Sequence, residues 1–158
     1  MDKSAYMLRI SQASPTGLVV INFELILEYL KEAEGGAVAE EKEPFRKAVQ
    51  KAKDGFDTLI SALDFEVAIS QDFYEIYNYC YKLLCDVHFS QDGEAACSAL
   101  KEVAELVEIL LTGWRDTAEK ADTYVESDAA PKVYAGLTYG KDGQAVEYIE
   151  NNDRGYMA

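Results

Sequence analysis

Histidine, cysteine and basic charge are all scarce in this chain, and each scarcity removes a class of chemistry. His88 is the single histidine. A ferritin-like di-iron centre needs two Glu-x-x-His elements and fails by count. Cys85 and His88 are spaced to share a helix face, but two ligands do not make a metal site. The three cysteines, Cys80, Cys85 and Cys97, form no CxxC pair and no disulfide-framework spacing. They read as reduced core or semi-buried thiols. Fifteen Lys and Arg stand against 29 Asp and Glu, for a formal net charge of −14. A duplex nucleic-acid binder or a protein of anionic membrane surfaces needs a basic face, so neither is expected. No apolar run approaches a membrane span, and the opening MDKSAYMLRISQASP lacks the continuous apolar core of a secretory signal. The expected compartment is the cytoplasm, without membrane insertion. Glycine-rich phosphate loops, GxSxG and a recognisable Cys, His and Asp pairing are missing as well. Pairs such as Glu40-Glu41 and Glu102-Glu105 fit solvated helix surface. No catalytic residue, metal ligand or cofactor is expected.

What is present is apolar surface at helical spacing. The 158 residues suit one domain. In SPTGLVVINFELILEYL, Ser14 to Leu30, Ser14 can cap a helix and Pro15 fits its first position, where a missing N–H costs nothing. From Leu18 onward only Asn22, Glu24 and Glu28 interrupt the apolar residues. Such a helix has no single stripe and must be covered on more than one side.

In chain order, Met1 to Ala13 form an N-terminal arm. The first helix spans about Ser14 to Glu34 and is expected to stop at Gly35-Gly36. The second, about Pro44 to Leu63, places Phe45, Val49, Ala52, Phe56, Leu59, Ile60 and Leu63 on one stripe. After a link at Asp64 to Ser70, the third runs to about Phe89. At roughly 100° per residue, its core arc holds Phe73, Ile76, Tyr77, Cys80, Leu83, Leu84 and Val87. Tyr74, Tyr77 and Tyr81 form an aromatic flank beside that arc, and Tyr79 points away from it. The fourth helix follows Ser90-Gln91-Asp92-Gly93 and reaches about Ala121. Ala96, Leu100, Val103, Val107, Leu110 and Trp114 make its seam, widened by Leu106 and Leu111. Short connections imply antiparallel neighbours. The expected fold is all-α: an antiparallel up-down four-helix bundle over 14–121, with the arm before it. From Asp122 to Ala158, Pro131 and four glycines break any helical period, and the acidic, Tyr- and Gly-containing extension is expected to be disordered or a weak β-hairpin around Lys141-Asp142-Gly143.

The surplus apolar and aromatic surface has two readings. It is plain core, or it is a groove for an amphipathic partner segment, in which aromatics supply area at low entropy cost. A homo-oligomeric scaffold that buries the surplus in itself is a further possibility. So is a phosphotransfer module on His88, although His88 stands near a helix end, followed by Phe89-Ser90 where such domains have Lys-Gly.

Several segments, in order, resemble the flagellin-specific export chaperones, the FliS family. Ala5-Tyr6 and then Ala13-Ser14-Pro15 resemble the family's Tyr…T-A-S/T-P-x-E-L opening. Leu18 to Leu30 stands in place of its first long helix. LISALDFE, Leu59 to Glu66, is similar to L-x-x-x-L-D-x-E. FYEIYNYCYKLL, Phe73 to Leu84, resembles L-Y-x-L-Y-D-Y-M-Y-x-x-L. Thr112-Gly113-Trp114-Arg115-Asp116 is similar to the closing L-R-D-x-W with the tryptophan shifted. The likeness covers about Ala5 to Ala121, and order and spacing carry it more than any one motif.

Two departures stand out. Gly17 occupies the place where the family's Glu would complete a capping box with Ser14. Asn22-Phe23-Glu24-Leu25 replaces Leu-Tyr-Asn-Gly. The resemblance implies a non-enzymatic chaperone that binds the disordered C-terminal segment of flagellin, prevents premature polymerisation and docks at the flagellar export gate, as a monomer or weak dimer. It also implies a part for Tyr6, with Ile10 as companion, in regulating the groove. The expected partner-binding residues are Tyr6, Ile10, Leu18, Leu25, Tyr74, Tyr77 and Tyr81. Tyr79 is assigned to a second surface or to structure.

Overall fold

The computed structural model describes residues 2–126, with side chains through residue 120. Among these, all regular structure is helical: α1 (Lys3–Gln12), α2 (Pro15–Val38), α3 (Lys42–Ser61), α4 (Ile69–His88) and α5 (Gly93–Glu126). The arm is thus itself a helix over most of its length, capped by Asp2, whose carboxylate accepts from the Ser4 and Ala5 amides. The fourth helix of the sequence reading, α5, continues five residues past Ala121. The hairpin or disorder expected further on lies outside the described residues.

Helix α2 begins as its sequence dictates. Ser14 has extended backbone angles and its Oγ accepts from the Gly17 amide at 3.1 Å, with Pro15 in the first helical position. Its end differs from expectation, because the helix runs straight through Gly35 and Gly36. A Cβ on Gly36 would lie 2.9 Å from the Phe45 backbone nitrogen, so this glycine lets the start of α3 press against α2. The turn comes at Glu40, which adopts a left-handed φ of 59°. The Glu40 amide donates to the Ala37 carbonyl and the Glu41 amide to the Gly36 carbonyl, the paired bonds of a Schellman cap.

Contacts run from α2 to α3 and α5, and from α4 to those same two helices, closing a ring of four; α1 rests on α2. Helix α2 is accordingly covered on three sides, as its composition requires. Its Val19, Val20, Ile21, Phe23, Ile26, Leu30 and Ala33 are all buried. Helix α3 contributes Phe45, Ala48, Val49, Ala52, Phe56 and Leu59 on one face. At Gly55 the α2–α3 approach is close: a Cβ there would meet the Ile26 side chain at 2.6 Å, and Asn22 Nδ2 donates to the Gly55 carbonyl at 3.3 Å. On α5 the buried seam is Ala96, Leu100, Val103, Val107, Leu111 and Trp114. Leu110 stands beside the seam and Leu111 in it, because a straight helix at 3.6 residues per turn drifts away from a strict seven-residue repeat.

Tyr77 sits at the centre of this core, fully enclosed. Its ring stacks on Phe73 at 6.0 Å and meets Phe23 and Phe56 at 6.2 and 6.3 Å, while Phe73 touches Trp114 at 5.7 Å. One aromatic cluster therefore joins α2, α3, α4 and α5. At about 1.5 to 3 kcal/mol for burying each large side chain, it is a major contributor to holding the ring together.

Candidate functional site

The surface between α1 and α2 is built on the polar residues that interrupt α2. Asn22 is spent on the Gly55 carbonyl. Glu24 bridges three helices: Arg9 Nη1 on α1 donates to its Oε1 at 2.6 Å, and Arg115 Nη2 on α5 donates to its Oε2 at 3.1 Å. Burial pushes the Glu24 carboxyl upward, but the hydrogen bonds and charges of Arg9 and Arg115 outweigh it and hold the group below the usual glutamate range. The Arg9 guanidinium also lies 5.5 Å from the Tyr6 ring centroid. Partial burial raises the Tyr6 phenol, and the nearby charges of Glu24 and Glu28 raise it further, so the hydroxyl stays protonated.

Helix α1 buries none of its residues. Tyr6 is half-buried, whereas Met7, Leu8 and Ile10 are exposed. This helix is held by polar contacts at its rim and lies over α2 without a core of its own.

The expected partner-binding residues fall on two faces. Tyr6 and Ile10 belong to α1, and Leu18, exposed, and Leu25, half-buried, belong to α2. Tyr74 and Tyr81 are half-buried on the other side of the molecule. Tyr74 meets Phe65 of the α3–α4 link edge-on at 5.7 Å, and the Tyr81 ring carries Lys53 of α3 at 5.5 Å. Tyr77, expected in both the core arc and the aromatic flank, belongs to the core alone and has no surface to offer a partner. The helical wheel already put Tyr77 at the border of both arcs, and the facing Phe23 and Phe56 decide the matter.

Arg9, Glu24 and Arg115 lie too far apart in the sequence for spacing to group them. The visible signal was a lone acid in an apolar helix, which demands a partner once its neighbours are buried. Tyr29 is likewise outside the expected set; Lys51 of α3 covers its ring at 5.5 Å.

His88 is half-buried against the Phe89 ring at 4.9 Å, with its Nδ1 buried. Burial, with the Lys53 and Arg46 charges, lowers its pKa and favours the neutral ring. Cys80 is buried, which pushes its thiol up to about 12, a value that suits an inert core thiol. Among the described residues, no three His, Cys, Asp or Glu side chains group as a metal site, and no helix is long and apolar enough to cross a membrane.

A comparison with curated proteins finds no match. The family model described as flagellar protein FliS matches residues 3–121, a span that includes α1 to α4, all but the last five residues of α5, and the Arg9–Glu24–Arg115 bridge. The chain belongs to the FliS family.

Proposed function

We propose that this protein is a non-enzymatic, cytoplasmic secretion chaperone of the flagellar type III export system. It binds the disordered C-terminal segment of flagellin, blocks premature polymerisation and delivers the subunit to the export gate. The observation that carries this reading is the family match over 3–121 together with a helix, α1, that lies on the apolar α2 without burying any residue of its own. The four larger helices act as an antiparallel up-down bundle, and the protein works as a monomer or weak dimer.

The client segment folds on binding. It loses chain entropy and regains it by burying apolar side chains along a long surface. At about 1.5 to 3 kcal/mol per large side chain, several contacts are needed. Tyr6, Ile10, Leu18 and Leu25 supply them on the α1–α2 side, and Tyr74 and Tyr81 on the α4 side. Tyr77 serves this surface from within, by fixing the helices that carry it.

Titrating the full chain with a flagellin C-terminal peptide in a calorimeter tests the proposal. Saturable binding with a negative heat-capacity change is expected. Absence of binding at high micromolar peptide refutes it.

A further inference from the structure

Tyr79 is turned out of the core, 47% exposed, on the side of α4 next to α5. With Ile76 of α4 and Leu106 and Ile109 of α5 it lines a groove of about 540 Å³ along the seam of these two helices. Ile109 is 69% exposed there, a branched apolar side chain in open water. Every charged residue among the described lining is acidic: Asp72 and Glu75 on the α4 bank, Glu102 and Glu105 on the α5 bank. The Tyr79 hydroxyl donates to the Glu102 carboxylate and ties one bank to the other.

An apolar floor between two acidic banks selects its occupant. Exposed aliphatic surface favours a partner's apolar face. Four carboxylates repel an acidic segment and draw in lysine or arginine. Asp72 to Tyr79 and Glu102 to Ile109 each span two helical turns, about 11 Å, so the floor matches apolar residues at positions i, i+3 or i+4, and i+7 of a helix. Helix α3 of a second copy is basic, but its apolar face is already buried in its own core.

We propose that the α4–α5 groove is a docking site for an amphipathic, lysine- or arginine-flanked helix of a second protein, distinct from the client surface of α1, α2 and the Tyr74 and Tyr81 face of α4. The groove and its occupant do not depend on the client being flagellin.

The probe is a synthetic amphipathic peptide of about 14 residues, with leucines at helical spacing and flanking lysines, and a twin in which glutamates replace the lysines. Fluorescence anisotropy against the full chain at physiological salt should show saturable one-to-one binding of the lysine peptide and none of the twin. Ile109→Glu and Glu105→Lys, both at exposed positions that the fold does not need, should each weaken it at least about tenfold. Glu32→Lys combined with Glu34→Lys, on α2 and outside the groove, should leave it unchanged. Thermal melts check that each variant stays folded. Equal weakening by the α2 reversals would reduce the binding to general attraction by an acidic chain and overturn the proposal. Displacement by saturating flagellin C-terminal peptide would overturn the separate site, as would self-association abolished by Ile109→Glu, which would make a second copy the occupant. Failure of the flagellin peptide itself to bind would sink the client reading and leave this one standing.

Discussion

Replacing Glu24 with glutamine removes the charge that joins α1 to the ring while keeping the side chain's shape. The two arginines that meet Glu24 are 47% and 57% exposed, and Glu24 itself 15%. Solvent therefore screens the attraction, and the Arg9 pair is worth up to about 1 kcal/mol, the upper end for exposed pairs. That corresponds to roughly a fivefold shift in the docking of α1. A ten-residue helix released from its support is marginal in water, so its amides report docking directly. Hydrogen exchange read by mass spectrometry should show residues 3–12 of Glu24→Gln exchanging up to about fivefold faster, with α3 unchanged. The pH dependence follows from the lowered carboxyl. The unfolded or undocked glutamate takes up its proton first as pH falls. The contribution of Glu24 is thus fully present above the ordinary glutamate range, about 4.3, and is lost as pH drops through the lower value of the docked state. Wild type should loosen in that window and Glu24→Gln should stay flat. Unchanged exchange at residues 3–12 in the variant, or the same acid loosening in both proteins, would refute the bridge as the restraint on α1.

The remaining predictions concern the backbone. Gly35→Ala meets nothing within 4 Å and should stabilise by up to about 1 kcal/mol through helix propensity, whereas Gly36→Ala drives a methyl into the Phe45 backbone and should cost about 1 to 3 kcal/mol; urea midpoints of the two variants must move in opposite directions. Glu40→Gly relieves a left-handed residue and should raise stability by up to about 1 kcal/mol in the same assay. Gly17→Glu adds the reciprocal cap with Ser14, but its Cβ would lie 3.2 Å from Ser14 Oγ and 3.3 Å from Ala13 Cβ. Ala13 ends the weakly held α1 and can yield, so a gain of up to about 1 kcal/mol is expected; a lower thermal midpoint would mean that Ala13 cannot move.

Residue spacing carried the helices well because burial at three and four residues apart is a property of each segment alone. The buried faces of α3 and α5 largely follow it; Ala48 joins the α3 face, Ile60 and Leu63 are only partly buried, and Leu111 takes the seam place expected of Leu110. What escaped the sequence depends on partners far along the chain. Gly35-Gly36 reads locally as a stop, and only the approach of Phe45 turns it into a packing site inside a helix. Tyr77 reads as core or flank until Phe23 and Phe56 enclose it. Asn22 and Glu24 look like interruptions of α2, yet each is satisfied by a residue from another helix, Gly55 for the first and Arg9 with Arg115 for the second. The order of family segments points to α1 and α2 as the expected partner surface, while the groove beside Tyr79 required α5 to be laid against α4.

The unequal attachment of α1 and the ring sets what α1 would do to the client proposed above. Undocking it leaves in place the ring contacts of the Phe23–Phe56–Phe73–Tyr77–Trp114 cluster, which join α2, α3, α4 and α5 to one another, so it can open as a local event well below the cost of global unfolding. If its docking is worth about 1 to 2 kcal/mol, the open form holds roughly 3 to 15% of the molecules, and a client that needs the covered surface binds about 6- to 30-fold more weakly than to an open one. A client that buries several large side chains at about 1.5 to 3 kcal/mol each overcomes that penalty easily, whereas a short apolar peptide with one such residue does not. Under the proposed function, α1 would be a threshold that discriminates by the length of the apolar contact. Deleting the restraint through Glu24→Gln should therefore raise the affinity of short flagellin fragments and long ones by the same factor, up to about fivefold, while only the short ones cross from undetectable to measurable binding.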